Sequence, residues 1–64
     1  MKTGDTVTYA QTRETQSVQP ERRNDTGRVG EIAIIEHDEC AQVFWSWAPD
    51  VGFWVKTRWL QVIN

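Results

Sequence analysis

Apolar and polar residues alternate in short segments along much of this chain. Between residues 41 and 47, for example, the odd positions hold Ala, Val, Trp and Trp, and the even positions hold Gln, Phe and Ser. A period of two is that of a β-strand, whose successive side chains point to opposite faces. The residues that favour strands, such as Val, Ile, Thr, Tyr and Trp, are common in these segments. The pattern therefore predicts five strands, over residues 6–10, 28–36, 40–47, 53–56 and 60–63.

Turn-forming residues separate the predicted strands. Gly4-Asp5 precedes the first strand, and the polar residues 37–39 predict a hairpin loop after the second. The segment 48–52 contains Pro49 and Gly52, which are typical of a tight turn. Residues 57–59 are too few for an α-helix and predict a single 3₁₀ turn.

The segment 11–26 has a different character, because it is polar throughout and its one large apolar residue is Val18. Loops of about 16 residues are uncommon inside compact domains, and they are usually functional or mobile. This loop is also the most basic part of the chain, since it holds Arg13, Arg22 and Arg23. Two interpretations remain open: a solvated flap, or a segment that takes part in binding.

Five short strands joined by tight turns cannot form two separate sheets in a chain of 64 residues. Curling one sheet on itself covers most of its edges and encloses a core. We therefore predict a small barrel, with residues 1–64 as a single domain. Its predicted core consists of Val7, Ile32, Ile34, Val43, Trp45, Val55, Leu60 and either Val62 or Ile63.

Composition explains how so small a domain could be stable. Cys40 is the single cysteine, so a disulfide within the chain is excluded, and a lone thiol suits the reducing cytoplasm. Four Trp, two Phe and one Tyr supply large apolar side chains instead. No apolar run reaches the roughly 18 residues of a membrane span, and the N-terminus lacks the apolar segment of a signal peptide. We expect a complete, separately encoded cytoplasmic protein without a membrane partner.

The order of these motifs resembles the SH3-like barrel superfamily. The matching residues are Gly4-Asp5-x-Val7, a long first loop, Gly27-x-x-Gly30-x-Ile32, Val43-x-Trp45, and Val55 followed by Leu60-x-x-Ile63. Within this pattern, the segment 27–32 is similar to the glycine-centred core of KOW domains. The resemblance implies an all-β fold: a single five-stranded SH3-like barrel with a long first loop and a short 3₁₀ turn before the last strand.

SH3-like barrels have many unrelated functions, so function must be argued from the site. The pattern is also similar to the small SH3-like subunits of photosynthetic complexes and to the type II dihydrofolate reductases. The pore-lining motif of those reductases is not found here, and the first loop is basic at its centre where peptide-binding SH3 domains have an acidic one. Neither reductase activity nor polyproline binding is therefore expected.

Aromatic residues cluster late in the chain, since six of the seven lie between positions 44 and 59. A narrow barrel cannot enclose them all, and an exposed apolar cluster usually marks a contact surface. The predicted partner-binding residues are Phe44, Trp47, Trp54 and Trp59, flanked by Arg13, Arg22 and Arg23. The alternative is that the rings pack beneath the long loop as a second small core.

The run His37, Asp38, Glu39 and Cys40 contains four potential metal ligands. Consecutive residues in a strand or turn point apart, whereas ligands must converge on a metal. No group that would orient Cys40 and His37 as nucleophile and base can be named. We therefore assign no catalytic residue, no metal site and no cofactor.

The sequence thus predicts a non-enzymatic protein-interaction module that serves as an accessory subunit or regulator of a larger complex. The alternative is a KOW-like nucleic-acid-binding barrel that uses the loop arginines and stacking aromatics. The net charge of −2 counts against that alternative, because proteins that hold phosphates are usually basic. A third hypothesis is a barrel that oligomerises to build a small-molecule site. The partner and the oligomeric state stay open.

Overall fold

The computed structural model describes residues 1–17 and 24–63. The regular elements in this part of the chain are five β-strands and two 3₁₀ helices, so the predicted all-β class is confirmed. The five predicted strands are present, and the predicted 3₁₀ turn before the last strand has the predicted bounds. The elements are β1 (Thr6–Tyr9), η1 (Arg13–Thr15), β2 (Gly27–Ile35), β3 (Asp38–Trp45), β4 (Gly52–Lys56), η2 (Thr57–Trp59) and β5 (Leu60–Val62).

The strands form one antiparallel sheet in the order β4-β3-β2-β1-β5. Among the described residues no ladder joins β4 to β5, so the hydrogen-bonded sheet is open at these two edges. The molecule nevertheless measures 27 × 25 × 21 Å along its principal axes. A single flat layer would be only about 10 Å thick. The sheet is therefore strongly curled around its inner face.

A β-bulge in β2 contributes to this curvature. Val29 lies opposite Val43 and Ile32 lies opposite Ala41, so three steps along β2 match two steps along β3. The extra residue bends the strand and increases its twist. It also reverses the phase of the side chains, so that Val29 before the bulge and Ile32 after it both face the core.

The hairpin between β2 and β3 is tighter than the predicted loop over residues 37–39. Ile35 pairs with Asp38, which leaves Glu36 and His37 as a two-residue turn with φ of 51° and 74°. Positive φ at both positions is the geometry of a type I′ turn, whose twist matches that of the strands. Asp38 and Glu39 are therefore strand residues, not loop residues.

The third strand ends two residues earlier than predicted. The amide of Ala48 donates to the carbonyl of Trp45 (3.0 Å), and the amide of Ser46 donates to Thr26 (2.9 Å). These bonds turn the chain directly after Trp45. Trp47 consequently lies in the turn and does not continue the alternation of the strand.

Every strand contributes to the core, which consists of Val7, Val29, Ala41, Val43, Trp45, Val55 and Leu60. Five of these residues were predicted from the alternation alone. Ala41 was left out although it shares the alternating face of Val43 and Trp45, and Val29 was left out because a strict period of two places it on the face opposite Ile32. The bulge removes that conflict, and Ile32 itself is only partly buried against the core.

Three predicted core positions are wrong. Ile34 is 68% exposed, and Val62 and Ile63 are each 41% exposed. Ile34 lies opposite Glu39 near the tip of the hairpin, whereas β1 pairs with β2 only at Gly27 and its neighbour at the other end. Nothing from β1 covers the tip. Val62 is the last residue of β5 and Ile63 follows it, so both lie beyond the buried Leu60.

Position 27 of β2 must be a glycine, because the backbone there lies against Trp45, the largest side chain of the core. A Cβ atom at this position would overlap the Cγ1 atom of Val43 and would lie 3.0 Å from the ring of Trp45. The glycine thus lets the backbone of β2 approach β3 closely enough to bury Trp45, which is 2% exposed. No helix in the described ranges has the length and apolarity needed to cross a bilayer.

We expect Leu60→Ala to lower the free energy of unfolding by about 2–5 kcal/mol, the usual cost of truncating a buried leucine. Ile34→Ala is the matched control, because it removes an aliphatic side chain that is 68% exposed. It should change the free energy of unfolding by less than about 0.5 kcal/mol. Urea unfolding followed by tryptophan fluorescence measures both. Equal losses in the two variants would contradict the exposure of Ile34.

Candidate functional site

One surface groove, of about 330 Å³, is lined almost entirely by aromatic side chains. Its residues come from β1, the end of β3, the turn that follows, β4 and η2. We call this feature the aromatic groove, and its lining consists of Tyr9, Trp45, Trp47, Phe53, Trp54, Val55 and Trp59.

The floor of the aromatic groove is a stacked ring pair. Tyr9 and Trp45 have centroids 4.8 Å apart and ring planes inclined by only 17°. Tyr9 is on β1 and Trp45 is on β3, two strands that β2 separates in the sheet. The two rings meet because the sheet curls, and Trp45 is held in the core beneath the groove. The floor is therefore part of the packed interior.

One wall of the groove exposes large rings to solvent. Trp47 and Phe53 are 45% and 37% exposed, and their centroids lie 5.3 Å apart at an interplanar angle of 44°. Trp54, the next residue on β4, is 44% exposed. Trp54 pairs with Gln42 whereas Phe53 pairs with Val43, so the Trp54 side chain leaves β4 on the opposite face of the sheet. Trp47 and Phe53 together form an apolar surface of the kind that marks binding sites.

The opposite wall is Trp59, which the structure ties to the start of the long loop. The indole Nε1 of Trp59 donates to Oε2 of Glu14 (3.0 Å). The ammonium of Lys56 lies 5.2 Å from the centroid of the Trp59 ring, within the range of a cation–π contact. Trp59 is therefore held in place by a carboxylate at its edge and a cation on its face.

Glu14 is positioned by η1, whose anchor is the buried residue Thr15. The Thr15 hydroxyl donates to the carbonyl of Ala10 (2.6 Å) and accepts the amide of Thr12 (3.1 Å). The first residues of the predicted long polar loop are therefore fixed against the sheet. The alternation of apolar residues could not predict this anchor, because Thr15 is a polar residue that holds η1 by hydrogen bonds.

Charged side chains beside Trp59 form an alternating chain of ion pairs. Arg58 Nε lies 3.2 Å from Glu14 Oε2, and Arg58 Nη1 lies 3.6 Å from Asp38 Oδ1. Asp38 Oδ2 in turn lies 3.4 Å from Lys56 Nζ. These side chains are one-third to one-half exposed, so each pair contributes little to stability. Their effect on the site is to neutralise both cations next to the groove.

The predicted site residues do not all lie together. Trp47, Trp54 and Trp59 line the aromatic groove. Phe44 lines a different surface depression, beside Thr6, Arg28 and Pro49. Arg13 is exposed on η1 and lines a shallow polar depression with other loop residues. Arg22 and Arg23 lie outside the described residues.

Besides the predicted core residues Trp45 and Val55, two further groove residues, Tyr9 and Phe53, were not predicted as part of the site. The alternation places Tyr9 only within the first predicted strand and Phe53 only within the fourth. Both are aromatic, which is the signal that could have included them. The sequence pattern could not predict that Tyr9 stacks on Trp45, because the two residues are far apart in the chain.

The run from His37 to Cys40 does not form a site in the structure. His37 is in the turn, and Asp38 pairs with Lys56 and Arg58. Cys40 is buried, and its thiol donates to the carbonyl of Asp38 at 3.6 Å. Within residues 1–17 and 24–63, no three His, Cys, Asp or Glu side chains are placed to hold a metal ion.

Comparisons of this chain with protein-family models, curated proteins and solved structures find no match. Function must therefore be inferred from the residues themselves. Among the surface features described above, the aromatic groove combines the largest exposed rings with a rigid floor. It is the feature on which we base the functional proposal.

We expect Thr15→Val to lower the free energy of unfolding by about 0.5–1.5 kcal/mol, because it keeps the shape but removes the hydroxyl that donates to the carbonyl of Ala10 and accepts from the amide of Thr12. Thr15→Ser is the matched control, since it retains the hydroxyl and should lose much less. Chemical denaturation measures the stability, and the indole N–H signal of Trp59 reports the Glu14 contact. An unchanged stability and Trp59 signal in Thr15→Val would show that η1 is not anchored by this side chain.

Proposed function

We propose that this chain is a small non-enzymatic protein-interaction module with an SH3-like barrel fold, which binds its partner through the aromatic groove. The observation that carries the proposal is the half-exposed ring pair of Trp47 and Phe53 at the aromatic groove, which Trp54 also borders. Tryptophan is enriched among the residues that dominate binding energy at protein interfaces. An accessory subunit or regulator of a larger complex fits a domain of this size.

The SH3-like part of the proposal is supported by the curvature of the sheet. Five short antiparallel strands curl around one core, and a bulge bends β2 between its two halves. The 3₁₀ turn η2 precedes the last strand, as the resemblance implies. These features agree with a small barrel whose edges are β4 and β5.

The position of the groove favours an extended segment as the partner. β4 is an edge strand, and among the described residues its ladder partner is β3 alone. Its residues Phe53 and Trp54 line the groove. An extended peptide could therefore pair with the free backbone edge while its side chains enter the aromatic groove, which is the arrangement of strand addition.

The charges beside the groove favour a protein over a nucleic acid. Phosphate binding needs basic side chains that are free to neutralise it. Lys56 and Arg58 are instead paired with Asp38 and Glu14. The chain also has a net charge of −2. If the chain were found to bind nucleic acid, as a KOW-like barrel would, that result would replace the proposal of protein binding.

We expect Trp54→Ala to weaken partner binding by about 2 kcal/mol or more, the threshold of an interface hot spot, without unfolding the domain. The partner is first captured from lysate in the presence of nuclease, and its dissociation constant is then measured by calorimetry. Ile34→Ala is the control, because it also removes an exposed apolar side chain but lies outside the groove. Equal effects of the two variants would contradict binding through the groove.

We further expect partner binding to depend weakly on salt. Arg13→Ala, and the double change of Arg22 and Arg23 to Ala, should each cost less than about 1 kcal/mol of binding energy, because we propose that a few aromatic rings supply most of it. Titrations at about 50 and 200 mM salt measure this, because phosphate contacts weaken strongly over that range. Tight oligonucleotide binding, with a slope of log affinity against log salt near −2, would favour the nucleic-acid alternative.

A further inference from the structure

We propose that β4 pairs with β4 of a second copy of this chain, so that two molecules form a symmetric dimer with one continuous sheet. The inference rests on the proposed function, because it takes the aromatic groove as part of the contact surface and names a second copy as the segment beside it. The observation behind it is that exposed rings emerge on both faces of one free strand edge.

The edge of β4 lacks the features that usually protect a free strand. Natural proteins block such edges with charged residues, proline or a bulge. Positions 52–55 hold Gly, Phe, Trp and Val, and the register with β3 runs over five consecutive pairs without a shift. Among the described residues no strand lies on the other side of β4. The backbone N–H and C=O groups on that side can therefore pair with a further strand.

The side chains of β4 require a partner that is apolar on both faces. Phe53 pairs with Val43 on the groove face, whereas Trp54 pairs with Gln42 on the outer face. Their side chains are 37% and 44% exposed. A ligand seated in the groove alone would leave Trp54 in water. A strand laid along the edge covers both rings if apolar side chains project from its two faces as well.

β4 is itself a strand of this kind, and one antiparallel register makes it self-complementary. When two copies pair about a two-fold axis at Phe53, Gly52 of each lies opposite Trp54 of the other. A glycine opposite an aromatic residue leaves room for the ring to lie across the neighbouring strand. On the groove face, Phe53 lies opposite its own copy and Val51 lies opposite Val55.

The outer face around Gly52 is shaped to receive the second indole. A Cβ atom at Gly52 or at Gly30 would overlap the side chain of Gln42, and one at Gly30 would also overlap the ring of Phe44. Because both positions are glycine, Gln42 and Phe44 lie close to the backbone of the sheet. Phe44 is the direct neighbour of Gly52 on β3. An indole that crosses Gly52 from the second copy therefore packs on Gln42 and reaches Phe44, as cross-strand aromatic pairs do.

The groove face and the ends of the strand are complementary in the same register. Trp47 lies 5.3 Å from Phe53 between ring centroids, so the pairing of Phe53 with its copy gathers four rings at the two-fold axis. At each end of the paired segment, the exposed Asp50 of one copy comes to the position opposite Lys56 of the other. Opposite charges at such positions attract. One interface thus covers the half-exposed rings on both faces of β4.

The first test is the mass of the full chain in solution. Sedimentation velocity over protein concentrations of about 10 μM to 1 mM is suitable, because small interfaces are weak and transient. We expect the mass to rise with concentration from the 7.5 kDa of one chain toward twice that value. Trp54→Lys should raise the dissociation constant of the dimer about thirty-fold or more, as the loss of a hot-spot residue does.

Ile34→Lys is the matched control, because it adds the same charge at a residue that is 68% exposed and lies outside β4. It should leave the dissociation constant unchanged. Phe53→Lys tests the groove face in the same way and should weaken the dimer as Trp54→Lys does. ¹H–¹⁵N spectra show whether each variant is folded.

An isotope-filtered NMR experiment tests the register on the unmodified chain. In an equal mixture of ¹³C,¹⁵N-labelled and unlabelled protein, we expect contacts between the ring protons of Trp54 in one copy and the α protons of Gly52 in the other. This measurement needs no variant, so it decides the inference even if a substitution in β4 prevents folding.

Three results would overturn the inference: a chain that stays monomeric up to about 1 mM, a dimer that a folded Trp54→Lys variant does not weaken, or intermolecular contacts that lie outside β4. A monomeric chain that still binds a captured partner through Trp54 would overturn the inference and leave the proposed function standing. If Trp54→Ala leaves the affinity for a captured partner unchanged, the proposed function fails. The mass of the isolated chain contains no such partner, so the two failures are distinguishable.

Discussion

The contact of Trp45 with the bare backbone of Gly27 is the constraint on which the rest of the molecule depends. Trp45 is the largest fully buried side chain, and it fits because β2 carries no Cβ where it passes the ring. The ring is also the floor of the aromatic groove, where it stacks on Tyr9. Core and candidate site are therefore built on one side chain, so a change that shifts this ring alters both stability and binding.

Curvature then decides which aromatic rings are buried. The bulge in β2 lets residues on both sides of it face inward, and the resulting core takes the ring of Trp45 completely and those of Tyr9 and Trp59 in part. Of the remaining rings, Phe44 lies apart on β3, whereas Trp47, Phe53 and Trp54 lie on the turn after β3 and on β4. Burying them would need a larger interior than so small a domain can enclose. Their exposure is thus a consequence of size and curvature, and it creates the surface that we propose for partner binding.

Polar contacts decide how the first loop meets this surface. Thr15 fixes η1 to the end of β1, and η1 places Glu14 against the indole of Trp59. Glu14 and Asp38 also pair with Arg58, which links the loop, the β2–β3 hairpin and η2 beside the groove. Each of these exposed contacts is weak alone. Together they join three segments that are distant in the chain, and they leave the rim of the groove nearly neutral.

Features set by neighbouring residues could be predicted from the sequence: the five strands, most of the turns, and the 3₁₀ segment Thr57–Trp59 follow from local alternation and backbone preferences. The clustering of aromatics also pointed to Trp47, Trp54 and Trp59. Only the tertiary structure decided that Ile34 is exposed, that Phe44 lies apart from the groove and that Tyr9 belongs to it. Those outcomes depend on where each strand ends against its neighbours and on how the sheet curls. These contacts are between residues far apart in the chain, such as Glu14 and Trp59, which are 45 positions apart. A local sequence pattern does not contain that information.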